Sequence, residues 1–183
     1  MRLKLPILIM PVLMMAACAS QGPQRWATEP MELNGIRMLS DVVTLQTTYP
    51  GADCTRDDIM QNSEWCYVPD LTIAGQHGHA MFYYYDGLLG TIDVSINDGH
   101  RGFQPILDAF RMQYGEAQHL EGIDSREYHQ DIARWDFLPG SIEMQRYGNY
   151  PSPDGSIIYN TPQGLKGEKL RQDLKASKKA GSP

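Results

Sequence analysis

His77 and His79 stand two residues apart with Gly78 between them, a spacing that puts two imidazoles on one face of an extended strand. There both could ligate a metal, with His100, His119 or His129 completing the site. Gly75, Gly78 and their polar neighbours read instead as an exposed turn, and the pair is taken as solvated. Asp53, Asp57, Asp58 and Glu64 could gather around calcium, but they lack the Asp-x-Asp-x-Asp-Gly order of a known loop and are read as a solvated acidic segment. No nucleophile elbow, phosphate loop, HExxH or dinucleotide glycine pattern occurs. With 22 acids in the chain, choosing two as a catalytic pair would carry no information. No catalytic residue, metal or cofactor is therefore assigned, and an enzyme with an unrecognised site stays as an alternative.

Cys18 offers a different chemistry. Arg2 and Lys4 make a basic start, and Leu5 to Met15 is apolar apart from Pro6 and Pro11. Small residues follow, in Ala16-Ala17-Cys18-Ala19-Ser20, and the whole reads as a secretory signal. The Ala-Ala-Cys ending resembles a bacterial lipobox, with Met15 where Leu is more usual. That resemblance implies a diacylglycerol thioether on Cys18, removal of residues 1–17 and acylation of the new N-terminus. Such an anchor exceeds the two membrane signals that stable attachment needs. Ala19 in place of Asp implies the outer membrane, with the protein facing the periplasm. Cys54 and Cys66 then remain in an oxidising compartment with eleven residues between them. Closing that loop would stabilise the fold by about 3 kcal/mol. A reactive thiol pair is disfavoured, because there is no CxxC and Asp53, Asp57 and Asp58 would raise a thiol pKa.

Around these residues lies one domain's worth of chain. The protein has 183 residues, 42% hydrophobic and 21% charged, the balance of a globular fold. A net charge of −6 argues against nucleic acid as a partner. Residues 163–183 hold six basic groups and two acids, a net of +4. The remainder from Cys18 onward sets 20 acids against 8 arginines, a net of −12. Every lysine after the signal lies in that basic tail, which reads as a short helix around Leu170 and Leu174, frayed by Gly167, that ends in disorder. Residues 18–33 read as a flexible tether and 34–162 as a single domain.

Met38, Val42, Leu45 and Tyr49 share one helical face, with Ser40 as a cap and Pro50-Gly51 as a stop. Phe103, Ile106, Leu107, Phe110 and Tyr114 make a second amphipathic face. Residues 50–70 have no sustained period and read as a loop holding both cysteines. Strands are expected at 71–75, 80–85, 88–96, 127–138, 141–147 and 156–160, with Asp86-Gly87 as a hairpin turn. Met81-Phe82-Tyr83-Tyr84-Tyr85 puts large side chains on both faces of its strand, although a strand with one wet face normally alternates with polar residues. The Phe82 and Tyr84 set is taken as a candidate interaction surface.

Aligning Tyr49 with Tyr114 matches Met38 to Phe103, Val42 to Leu107 and Leu45 to Phe110. The expectation is an α+β fold, a tandem αβββ repeat with two helices packed on a mainly antiparallel sheet of about six strands. This order resembles the repeats of β-lactamase-inhibitor-protein-like domains and of SmpA-type outer-membrane lipoproteins, in topology alone, over residues 36–160. The resemblance implies binding of another protein. The expected function is a lipid-anchored periplasmic binding or accessory module, held to the membrane through Cys18 and recognising a protein through a sheet face or loops. An inhibitor of a periplasmic or exogenous hydrolase is the alternative.

Overall fold

A computed structural model describes residues 26–124, 129–148 and 154–180. The signal segment and Cys18 lie outside the described residues. The chain opens with a small hairpin, β1 (Glu32–Leu33) and β2 (Ile36–Arg37), followed by α1 (Val42–Thr48). Four strands follow: β3 (Asp53–Arg56), β4 (Ser63–Ile73), β5 (Gln76–Tyr85) and β6 (Leu88–Ile96). Then comes α2 (Gly99–Tyr114), four more strands, β7 (His119–Asp124), β8 (His129–Phe137), β9 (Gly140–Gly148) and β10 (Asp154–Asn160), and finally α3 (Pro162–Ala180).

Two corrections to the expected architecture follow. Among the described residues there are three helices, not two, and ten strands in two sheets replace the expected six. The main sheet has eight strands in the order β3-β4-β5-β6-β10-β9-β8-β7, with every neighbouring pair antiparallel. Each of α1 and α2 is thus followed by a four-stranded meander, and the last strands of the two meanders, β6 and β10, meet at the centre. Besides the small hairpin β1–β2, the strands missed from the sequence are the edges of the main sheet, β3 and β7. Asp-Cys-Thr-Arg and His-Leu-Glu-Gly-Ile-Asp carry little of the apolar alternation that marks a half-buried strand. The loop expected over 50–70 is mostly β3 and the first half of β4, and Cys54 lies directly opposite Cys66 in their ladder. The two are disulfide-bonded.

Hairpin chemistry sets the register. Asp86 and Gly87 both have positive φ, 53° and 78°, in a two-residue turn between Tyr85 and Leu88. The turn expected at His77-Gly78-His79 lies earlier, at Ala74-Gly75, which puts both histidines inside β5. From there β5 alternates: Ala80, Phe82 and Tyr84 are buried, while His79, Met81 and Tyr83 are half-buried.

The buried face carries the core. Phe82, Ile92, Tyr159, Ile142 and Trp135 face one another across five strands. The helices α1 and α2 close over this row, through Leu45 and through Phe103, Ile106, Leu107 and Phe110. The Phe110 ring meets Trp135 edge-on at 5.5 Å, and Tyr49 at the end of α1 reaches Phe82 at 6.5 Å. Both helices begin at an aspartate. Asp41 and Asp98 each accept a hydrogen bond from the N–H three residues on, at 3.0 Å, which satisfies one of the free donors of a helix start. The cap of α1 is therefore Asp41, and the Ser40 expected there precedes it.

The tail expected to hold a short, frayed helix and then disorder is helical over Pro162–Ala180 as α3, and it packs on the opposite face of the sheet. Gly164 lies against Gly90, and Gly167 lies on the Tyr85 ring, so closely that a Cβ on either glycine would collide. Arg171 Nε donates to Asp57 Oδ2 at 2.6 Å, where both side chains are largely buried. Beyond Arg171 the described residues of the helix are exposed. The domain therefore extends past 162.

Candidate functional site

The faces of the sheet are not equally covered. The side that carries Tyr83 and Tyr85 has one helix on it, α3, placed over Tyr85 and Gly90 at one end. The rest of that side is built from the outward residues of successive strands. Trp65 and Tyr67 come from β4; His79, Met81 and Tyr83 from β5; Asp93 and Ser95 from β6. Ser156 and Ile158 come from β10, and Glu143, Gln145 and Tyr147 from β9. All of these are half-buried.

Register fixes two transverse rows at the centre. His79 opposes Ser95, Ser95 opposes Ser156, and Ser156 opposes Gln145. Beside it Met81 opposes Asp93, Asp93 opposes Ile158, and Ile158 opposes Glu143. A groove of about 520 Å³ runs here, lined by His79, Asp93, Ser95, Gln145, Tyr147 and Ser156 among others. Burial raises the Asp93 carboxyl above its ordinary pKa; His79 works against that rise and Glu168 adds to it. At the far side Arg134 is held by Asp136 at 2.9 Å and by Glu143 at 3.4 Å.

The interaction residues expected from the sequence lie on the other side. Phe82 and Tyr84 are both 0% exposed, in the core beneath α1 and α2. Burial holds the Tyr84 phenol far above its ordinary pKa, and no hydrogen-bond partner reaches its hydroxyl among the described residues. The strand does present aromatic residues outward, but these are Tyr83 and its neighbours. Period-two alternation separates the two sets without saying which one the helices cover.

His77 and His79 do share the outward face. His77 is exposed beside Asp70, at 3.6 Å, and the His79 ring meets Tyr67 at 5.8 Å. Among the described residues no group of three His, Cys, Asp or Glu side chains is placed to hold a metal. The acidic segment is dispersed: Asp57 turns to Arg171, while Asp53 and Asp58 stay exposed. Among the described residues no helix is long and apolar enough to cross a membrane.

The groove residues Asp93, Ser95, Gln145 and Ser156 were not singled out in the sequence. The available signal was the polar phase of β6, β9 and β10, where alternating hydroxyl, amide and carboxyl residues can fall side by side once the strands are paired. Pairing β6 with β10, across 57 intervening residues, is the step that sequence alone withholds.

No protein-family model matches this chain, and no curated protein and no solved structure matches it closely enough to show a relationship. The resemblances to bacterial lipoproteins and to inhibitor-like repeats thus gain no support from a relative.

Proposed function

We propose that this chain is a lipid-anchored module of the cell envelope that recognises a protein partner on the uncovered face of its eight-stranded sheet. One observation carries the reading. An antiparallel sheet with one wet face ordinarily alternates to polar residues on that side. Here Trp65, Tyr67, Met81, Tyr83, Tyr147 and Ile158 stand half-buried on it, while α1 and α2 pack on the other face and α3 covers only the end at Tyr85 and Gly90. Tyrosine and tryptophan present a broad apolar body with a polar edge, which suits a surface that must be soluble alone and dry when bound. The face is wide and its groove is open and polar, a form suited to another surface more than to an enclosed small molecule. The anchor in this reading rests on Ala16-Ala17-Cys18 and the basic, apolar segment before it.

Photo-crosslinking tests it. A photoreactive amino acid would replace Tyr83 or Tyr147 on the open face. As a control it would replace Met112, which is 90% exposed on α2. The reading expects a discrete protein adduct in intact cells from both open-face positions and none from position 112. Equal adducts from all three positions, or adducts from 112 alone, would overturn it.

A further inference from the structure

The half-buried carboxylates of this protein mostly have a cation or a donor beside them. Asp57 has Arg171, Asp131 has Arg146, Asp136 and Glu143 share Arg134, and Glu32 has Arg37. Glu168 accepts from Gln172. Glu64 and Asp93 depart from this pattern, and of the two Asp93 lies in the groove. Among the described residues its carboxylate makes no hydrogen bond and no ion pair. The guanidinium in its own row, Arg134, is three strands away, roughly 14 Å at the usual strand spacing. Nor do the hydroxyls of Ser95 and Ser156, which border it, bond to another protein group among the described residues. Asp93 is also the carboxyl raised above its ordinary pKa among the described residues, because the fold removes it from water and His79 only partly offsets that.

We infer that the Asp93 groove is a receptor for a cationic side chain, arginine foremost, presented by the protein partner. This rests on the reading of the open face as a protein-binding surface and names the chemistry at its centre. A guanidinium brings five N–H donors and a permanent charge. Asp93 supplies the counter-charge, and the Ser95 and Ser156 hydroxyls and the Gln145 amide oxygen supply further acceptors around it. Tyr147 and His79, whose ring is backed by Tyr67, offer flat walls against which a guanidinium can stack. The wider field has the same sign, since the chain from Cys18 to position 162 carries −12. A lysine ammonium would satisfy the charge but neither the planar stacking nor the spread of acceptors.

A carboxylate kept for a partner should weaken the free protein. Because the fold raises the Asp93 pKa, ionised Asp93 costs stability above that raised value, and the cost disappears below its ordinary 3.8. The groups facing it are His79 from β5, which opposes the shift, and Glu168 from α3, which adds to it. Asp93→Asn should therefore unfold at an equal or higher denaturant midpoint at neutral pH.

The experiment titrates N-acetyl-arginine amide into the purified protein while amide NMR shifts are followed. N-acetyl-lysine amide and N-acetyl-glutamine amide serve as comparisons. Saturable shifts at residues 93, 95, 145 and 156 are expected with the arginine probe, weaker ones with lysine and none with glutamine. In Asp93→Asn the arginine affinity should fall roughly tenfold or more, with no loss of stability. Arginine shifts unchanged in Asp93→Asn, shifts centred on other acids such as Asp53 and Asp58, or a destabilised Asp93→Asn would each overturn the inference. Crosslinking separates the two ideas. If Asp93→Asn leaves the Tyr83 and Tyr147 adducts at full yield, the cation receptor fails and the open face stands; if position 112 crosslinks equally, the open-face reading fails first.

Discussion

Arg171 on α3 donates to Asp57, in the connection between β3 and β4, at 2.6 Å, and this contact ties the C-terminal helix across the sheet to the opposite end of the sequence. Asp57 is 4% exposed and Arg171 19%. Burial works against the Asp57 carboxylate, but the Ile59 N–H and the Arg171 guanidinium outweigh it and hold its pKa below the ordinary value. Removing one partner of such a pair leaves the other charge buried, so Arg171→Ala should cost about 3 kcal/mol in denaturant unfolding. The pH dependence follows from the direction of the shift. The stability due to Asp57 is complete above 3.8 and is lost as pH falls through the lowered folded value. Arg171→Ala should therefore differ from wild type at pH 7 and converge on it in strong acid. Equal midpoints at pH 7 would show that the ion pair does not hold α3.

Gly164 is the second tie. A Cβ there would meet the Gly90 carbonyl, which is backbone and cannot swing aside. Gly164→Ala should destabilise the protein by about 1–3 kcal/mol, although alanine favours helices. Leu165→Ala, on the exposed side of the same turn, should stay within about 0.5 kcal/mol. Hydrogen exchange should show faster α3 amides in the Gly164 variant. An unchanged or stabilised Gly164→Ala would mean that the helix does not pack this closely.

Leu107 and Phe110 fill the layer between α2 and the sheet, each 4% exposed. Leu107→Ala and Phe110→Ala should each cost about 2–5 kcal/mol, measured as unfolding free energies. Midpoints at the wild-type value would place α2 on the surface.

The helical face of α2, the Asp86-Gly87 turn and the alternation of β5 were legible in the sequence, because each is a local pattern. The edge strands were not. Asp53–Arg56 and His119–Asp124 hold their places through cross-strand pairing, and their own residues carry no strand period. Asn34-Gly35 bears the same hairpin signal as Asp86-Gly87, and its left-handed φ values of 49° and 85° turn β1 into β2, but it was read only as the approach to a helix. The lysines of α3 spoke for a solvated tail. Its glycines, poor helix formers by propensity, are what allow it to lie on Gly90 and Tyr85. Phe82 and Tyr84 illustrate a different limit. Their separation from Tyr83 was visible, while the side the helices choose depends on how α1 and α2 dock.

The anchor has its own test. Cys18→Ser should leave unprocessed precursor and abolish labelling with a radioactive fatty acid. Normal processing and membrane retention of that variant would contradict a lipid anchor.

The central claim is that the uncovered sheet face binds a protein, and the most direct measurement is the affinity of the crosslinked partner, purified, for variants of that face. Tyr67→Ala and Tyr147→Ala remove half-buried rings from the open face, so they should weaken binding roughly tenfold or more while their unfolding midpoints fall only slightly. Met112→Ala should bind as wild type does. Affinities unchanged in both tyrosine variants, or lowered only in proportion to lost stability, would contradict the account.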